Sequence, residues 1–157
     1  MAVASAAFGC SNDSESATGS ANGGPSCFDY STFDGQNPKV DFVADLAPMF
    51  QESCGLSNSC HSDKTGALPA GRPYIASDKA KTIASLVGVA ATADPGLKRI
   101  EPLEPARSFL TYKIDGFFRC AAVTCSASCG SAMPPESAAL PSAQRDAIRR
   151  WIAQGAD

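Results

Sequence analysis

Histidine occurs once in the 157 residues, at His61, so no metal or haem in this chain can take two histidine ligands from it. Charge is also sparse: 18% of residues are Asp, Glu, Lys or Arg, against roughly 25% in an ordinary soluble domain. Ala, Ser and Gly fill the gap, which points to long surface loops and few ion pairs. Basic residues do not predominate, with 13 Lys and Arg against 16 Asp and Glu and a formal net charge of −3. Nucleic-acid binding, which wants a clustered basic face, has no electrostatic case. No run approaches the roughly 20 apolar residues of a spanning helix, which excludes a polytopic membrane protein. No segment shows a convincing period-2 alternation, so strands are not expected and the fold class is all-α with long loops. No Ser or Cys sits in a recognisable nucleophile elbow, which leaves hydrolase chemistry without support.

Cysteine is the residue in excess, with seven in a chain whose length suits one domain. A cytosolic protein rarely carries so many without metal ligation or redox catalysis. Either the protein matures in an oxidising compartment or some cysteines hold a cofactor, and the two are compatible.

Residues 1–10, MAVASAAFGC, form a small apolar run ending at Gly9-Cys10. They resemble the tail of a bacterial lipoprotein signal, in which the cysteine is lipidated. No Lys or Arg precedes the run, a departure from that pattern. Residues 11–37 are rich in Ser, Gly and Asn and read as a flexible tether. Within them Cys27, Phe28, Tyr30 and Phe33 are costly to leave in water. This piece is expected to dock on the domain, with Cys27 in a disulfide.

The folded domain is expected to span 38–157. Val40, Phe42, Val43, Leu46, Met49 and Phe50 approximate helical spacing, with Pro48 able to split the helix into two turns. Ser77 is placed to cap a helix with Ala80, Ile83, Ala84 and Val87 inside. Pro105 is placed to open another through Phe109, Leu110, Tyr112 and Lys113 to Gly116. The last helix is the clearest: Ser142 at its N-cap, Ile148, Trp151 and Ile152 on one face, Arg145, Arg149 and Arg150 largely on the others, and Gly155 as its stop. Trp151 is expected in the core between the terminal helices, and the arginines on a solvated face.

The string Cys54-Gly-Leu-Ser-Asn-Ser-Cys60-His61 follows the first helix directly. A Cys…Cys-His string has a specific use in c-type cytochromes, where two thioethers tether the haem and the next residue sets an imidazole under the iron. With one histidine in the chain, the other axial ligand must be of another kind. Of the methionines, Met1 lies in the signal-like run and Met49 on the helix leading into the string. Met133 remains, on a loop stiffened by Pro134-Pro135.

From about Asp41 to Ala156 the chain resembles a class I cytochrome c domain, of the divergent lipoprotein kind found in myxobacteria and related bacteria. The matching pieces are the helix ending in Phe50, the Cys…Cys-His61 string, Glu104-Pro105-Ala106-Arg107-Ser108-Phe109-Leu110, Met133-Pro134, and the closing Ile148–Ala156. The resemblance implies a cytochrome c-like fold whose first and last helices cross. It further implies covalent haem c with thioethers at Cys54 and Cys60, His61 as proximal ligand and Met133 as distal ligand. Phe50, Phe109 and Leu110 would keep water from the iron. The function implied is that of a monomeric, extracytoplasmic electron carrier rather than an enzyme, held to the membrane through lipid on Cys10, in the periplasm or at the outer membrane, and working with a redox protein the sequence does not identify.

The five residues between Cys54 and Cys60 depart from the usual two. They bulge outward and still present both sulfurs, or they mark a haem-free relative in which Cys54 and Cys60 form a disulfide and the domain is a stapled binding or structural lipoprotein. Cysteine parity fits both. Setting Cys10 aside, haem at Cys54 and Cys60 leaves Cys27, Cys120, Cys125 and Cys129 for two disulfides, and without haem three form. Cys120, Cys125 and Cys129 crowd together, so one of them reaches elsewhere, and Cys27 is its natural partner. A zinc site from Cys54, Cys60, His61 and one of the later cysteines is disfavoured, because the adjacent Cys60 and His61 side chains diverge and thiols outside the cytosol oxidise before they bind metal.

Overall fold

The computed structural model describes residues 27–157 apart from Glu136. The signal-like residues and most of the expected tether therefore lie outside the described residues. The described chain is all-α. Four α-helices, α1 (Ala47–Ser53), α2 (Lys79–Leu86), α3 (Phe109–Asp115) and α4 (Ser142–Ala153), are joined by long loops. Among the described residues the only β pairings are isolated bridges, Val87 with Ile100, Ala90 with Lys98 and Lys98 with Ser108. None of these helices is long and apolar enough to cross a membrane.

The first helical stretch is split. Phe42–Leu46 forms a wide π-type turn, and α1 begins at Ala47 with Pro48 in its first turn. Proline is tolerated there because that N–H has no intrahelical partner. Asp41 fixes the start: its carboxylate accepts from Ala44 N at 2.7 Å, and its own N–H donates to Asp45 at 2.8 Å.

Four local expectations need correction. Asp78, not Ser77, caps α2, accepting from Lys81 N at 3.0 Å. The buried face of α2 is Thr82 and Leu86, while Ala80 and Ala84 are exposed. Thr82 is buried because its hydroxyl closes on Ala76 O at 3.1 Å, a polar anchor invisible to an apolar pattern. Pro105 opens only a 3-10 turn, Pro105–Arg107, and α3 starts afresh at Phe109 before ending at Gly116, whose φ of 70° suits glycine. Ser142 is the first residue of α4 rather than its cap.

The core lies where α4 meets the Phe42–Phe50 stretch. Phe42, Phe50 and Trp151 are each 1% exposed, and their rings pack with centroids 5.5 to 6.2 Å apart. Trp151 is thus a core residue, as expected. Arg149 is not on a solvated face. It is 2% exposed, and its guanidinium meets both carboxylate oxygens of Asp115 at 2.5 Å. Helical position 149 faces α3 as well as the strap described next, and the Asp115 charge makes burial of the arginine tolerable.

Residues 27–37 lie as a strap on this end of the domain. Phe28, Tyr30 and Phe33 pack edge to face, with centroids 4.7 to 6.2 Å apart. Arg149 stacks on Phe28 at 3.8 Å, and Arg150 on Phe33 at 5.3 Å. Gln154 ties the strap to α4 by accepting from Val40 N and donating to Gly35 O and Pro38 O. Cys27 is bonded to Cys120, and Cys125 to Cys129. The docking of this segment and the reach of Cys27 to the crowded cysteines agree with the expectation from sequence.

Candidate functional site

The loop after α1 is closed on itself. His61 N donates to Cys54 O at 3.0 Å, and Cys60 N and Ser62 N both donate to Ser57 O, at 3.1 and 3.0 Å. The insert between the cysteines is thereby folded into turns, with Leu56 and Ser59 exposed, so it bulges away from the core. Gly55 is required at its base, since a Cβ there would stand 2.5 Å from the Ala76 Cβ. Arg72 braces the far end by donating to Ser59 O and, at 3.2 Å, to Cys60 O.

These turns deliver Cys54, Cys60 and His61 to the wall of a cavity of about 550 Å3. Met133, from the loop before α4, lines the same cavity. All four residues singled out from the sequence thus meet at one place. Ile75, Leu86, Phe109, Leu110, Ile114 and Leu140 supply its apolar lining. Phe109 and Leu110 are therefore at the site, as expected. Phe50 is not among the lining residues and belongs to the main core. The volume falls within the roughly 300–1,000 Å3 of ligand and cofactor clefts, which are likewise apolar with a few convergent polar groups.

His61 is oriented by its backbone neighbour. Its Nδ1 lies 3.0 Å from Pro73 O. A carbonyl only accepts, so Nδ1 carries the proton and Nε2 keeps its lone pair. No hydrogen bond engages Nε2 among the described residues. Burial lowers the His61 pKa, with the charges of Arg72, Lys113 and Arg99 adding to it against the Pro73 contact. The imidazole is therefore neutral at pH 7 and a competent ligand.

Cys54 is a free thiol, so the Cys54–Cys60 disulfide of the haem-free reading is not formed. Burial pushes its pKa up to about 12. It is a thiol rather than a thiolate at neutral pH. Cys27, Cys120, Cys125 and Cys129 form two disulfides, and Cys60 is disulfide-bonded as well, so only Cys54 of the two expected thioether positions carries a free thiol. No cluster of three His, Cys, Asp or Glu side chains able to hold a metal occurs among the described residues, so the zinc alternative finds no ligand set.

Sequence reasoning missed the cations. Arg72, Arg99 and Lys113 line the cavity, and no carboxylate among the described residues does. Arg99 donates to Ser85 O and Gly71 O, both at 2.8 Å. Burial lowers its pKa without removing its charge. Lys113 is held by carbonyls of the Met133 loop, and burial brings its pKa to about 8. These residues are scattered through loops and α3 with no motif spacing, so no sequence signal gathers them.

No family model, curated protein or solved structure matches the chain.

Proposed function

We propose that this cavity is a haem c site and that the chain is an extracytoplasmic, membrane-tethered carrier of single electrons. The observation that carries the reading is the convergence of Cys54 and His61 from one loop and Met133 from another on one apolar cavity, with the imidazole already oriented by Pro73. The residues fit the group. His61 offers a neutral imidazole nitrogen, Met133 a thioether, and Cys54 a thiol for a covalent tether. Cys60 stands at the same wall but is disulfide-bonded, so the covalent tether proposed here is the single thioether of Cys54.

Haem iron supplies reversible one-electron transfer, and a thioether ligand raises its potential. This chain's part is to bind, orient and exclude water. Phe109 and Leu110 cover the apolar wall, and Arg72, Arg99 and Lys113 make the site complementary to an anionic cofactor. The two disulfides support an oxidising, extracytoplasmic compartment. Lipid on Cys10 would anchor the chain, and its partner would be another redox protein, with the domain acting as a monomer.

The test is spectroscopic. Protein matured in a periplasm equipped for haem attachment is expected to show a reduced-state alpha band and a haem-positive band on a denaturing gel. Met133→Ala is expected to keep the covalent haem, lower the potential and open the iron to added imidazole. A folded but colourless wild-type protein overturns the reading in favour of a haem-free binding module. An unchanged spectrum in Met133→Ala removes Met133 as a ligand.

A further inference from the structure

The Met133 loop has no regular structure of its own, yet it is held to α3 through one residue. Lys113 is on the cavity wall, and its Nζ donates to Cys129 O at 2.9 Å and to Ser131 O. Its own carbonyl accepts from Met133 N at 2.7 Å. The ammonium also stands 5.1 Å from the Phe118 ring centroid. No carboxylate forms a salt bridge with it among the described residues, so carbonyl dipoles and a ring face hold the charge. Gly130 lets the chain wrap this closely: its φ is 68°, and a Cβ there would come 3.3 Å from Nζ. The Cys125–Cys129 disulfide closes the turn immediately before the clamp.

We propose that Lys113 is the positioning residue of this loop, its ammonium fixing residues 129–131 and its carbonyl fixing Met133, so that the thioether is presented to the cavity. The clamp is a property of the chain itself. Its consequence for the iron rests on the haem reading, with Met133 as the distal ligand. A half-buried ammonium donating to two carbonyls is a strong restraint, because charge-assisted hydrogen bonds outweigh neutral ones. A lysine that served only overall stability would leave no signature confined to this loop.

The test uses full-length protein and two readouts. In Lys113→Met, hydrogen exchange at the Met133 amide is expected to quicken by about tenfold or more, while amides of α1 and α4 keep their rates. Lys113→Arg, which retains the charge and donors, is expected to restore most of the protection. In haem-loaded protein the same Lys113→Met change is expected to tighten imidazole binding by about tenfold, since the distal side opens more readily. Exchange in the haem-free chain decides the clamp by itself, so a protein that takes no haem defeats the functional reading and leaves this proposal to be judged on exchange alone. Gly130→Ala, which crowds the ammonium, is expected to loosen the same amide and serves if Lys113→Met does not fold. Wild-type exchange at Met133 in both variants overturns the proposal, as does acceleration spread evenly over the whole domain.

Discussion

Asp115 is the residue whose loss should cost the fold most per atom removed. Its carboxylate, 2% exposed, accepts from Arg149 Nη2 with both oxygens at 2.5 Å and from Arg145 Nη1 at 2.7 Å. Arg145 is 24% exposed and can turn to water, but Arg149 is 2% exposed and cannot. Asp115→Ala therefore leaves a buried guanidinium with Asp146, at 2.7 Å and 31% exposed, the Tyr30 hydroxyl and the Phe28 ring in place of its buried carboxylate. Breaking a buried pair from one side costs about 3–5 kcal/mol. For a domain of this size that is a fall in Tm of about 10–15 °C. Urea denaturation followed by Trp151 fluorescence would measure it directly, because that tryptophan packs beside the same helix face. The double variant Asp115→Leu, Arg149→Met removes both charges and should recover most of the loss, since an apolar replacement of a buried pair is near neutral. A fall below about 1 kcal/mol for Asp115→Ala would refute the reasoning, because it would mean that Arg149 reaches water in solution.

Two further outcomes follow from the same structure. Cys27→Ser opens a bridge between residues 93 apart in sequence and should cost about 2–5 kcal/mol in urea denaturation, while freeing the strap to limited proteolysis; unchanged protease resistance would show that the aromatic contacts alone hold it. His61 in the haem-free chain should titrate below its ordinary 6.5, because burial and then the neighbouring Arg72, Lys113 and Arg99 disfavour its charged form. The unfolded chain then takes up this proton first, so the stability due to His61 is full above pH 6.5 and falls as the pH drops toward and through the folded value. An imidazole NMR titration with its midpoint at or above 6.5 would contradict this.

The site was more legible in the sequence than the fold around it. Cys54, Cys60, His61 and Met133 were found by chemistry: a rare histidine, its neighbouring cysteine and the one methionine on a stiffened loop. The structure brings these four together. Periodicity found α4 and the split at Pro48, because Trp151 and Ile152 mark an apolar face and proline has few permitted places. It failed where a polar group was buried by a specific partner. Arg149 has the pattern of a surface residue and is inside because Asp115, far away in the chain, is inside too. Thr82 is buried by its bond to Ala76, and Pro73 matters through a carbonyl that any residue would carry. Contacts of this kind depend on the backbone path, which local composition does not encode.

The central claim is that the cavity binds haem covalently through Cys54. Intact mass spectrometry of the protein matured with haem-attachment machinery, followed by peptide mapping of the Cys54–His61 segment, tests it most directly. The account predicts one added haem per chain and a thioether on Cys54, with Cys60 read in the same spectrum. A mature, folded chain with no added haem and an unmodified Cys54 thiol would contradict it.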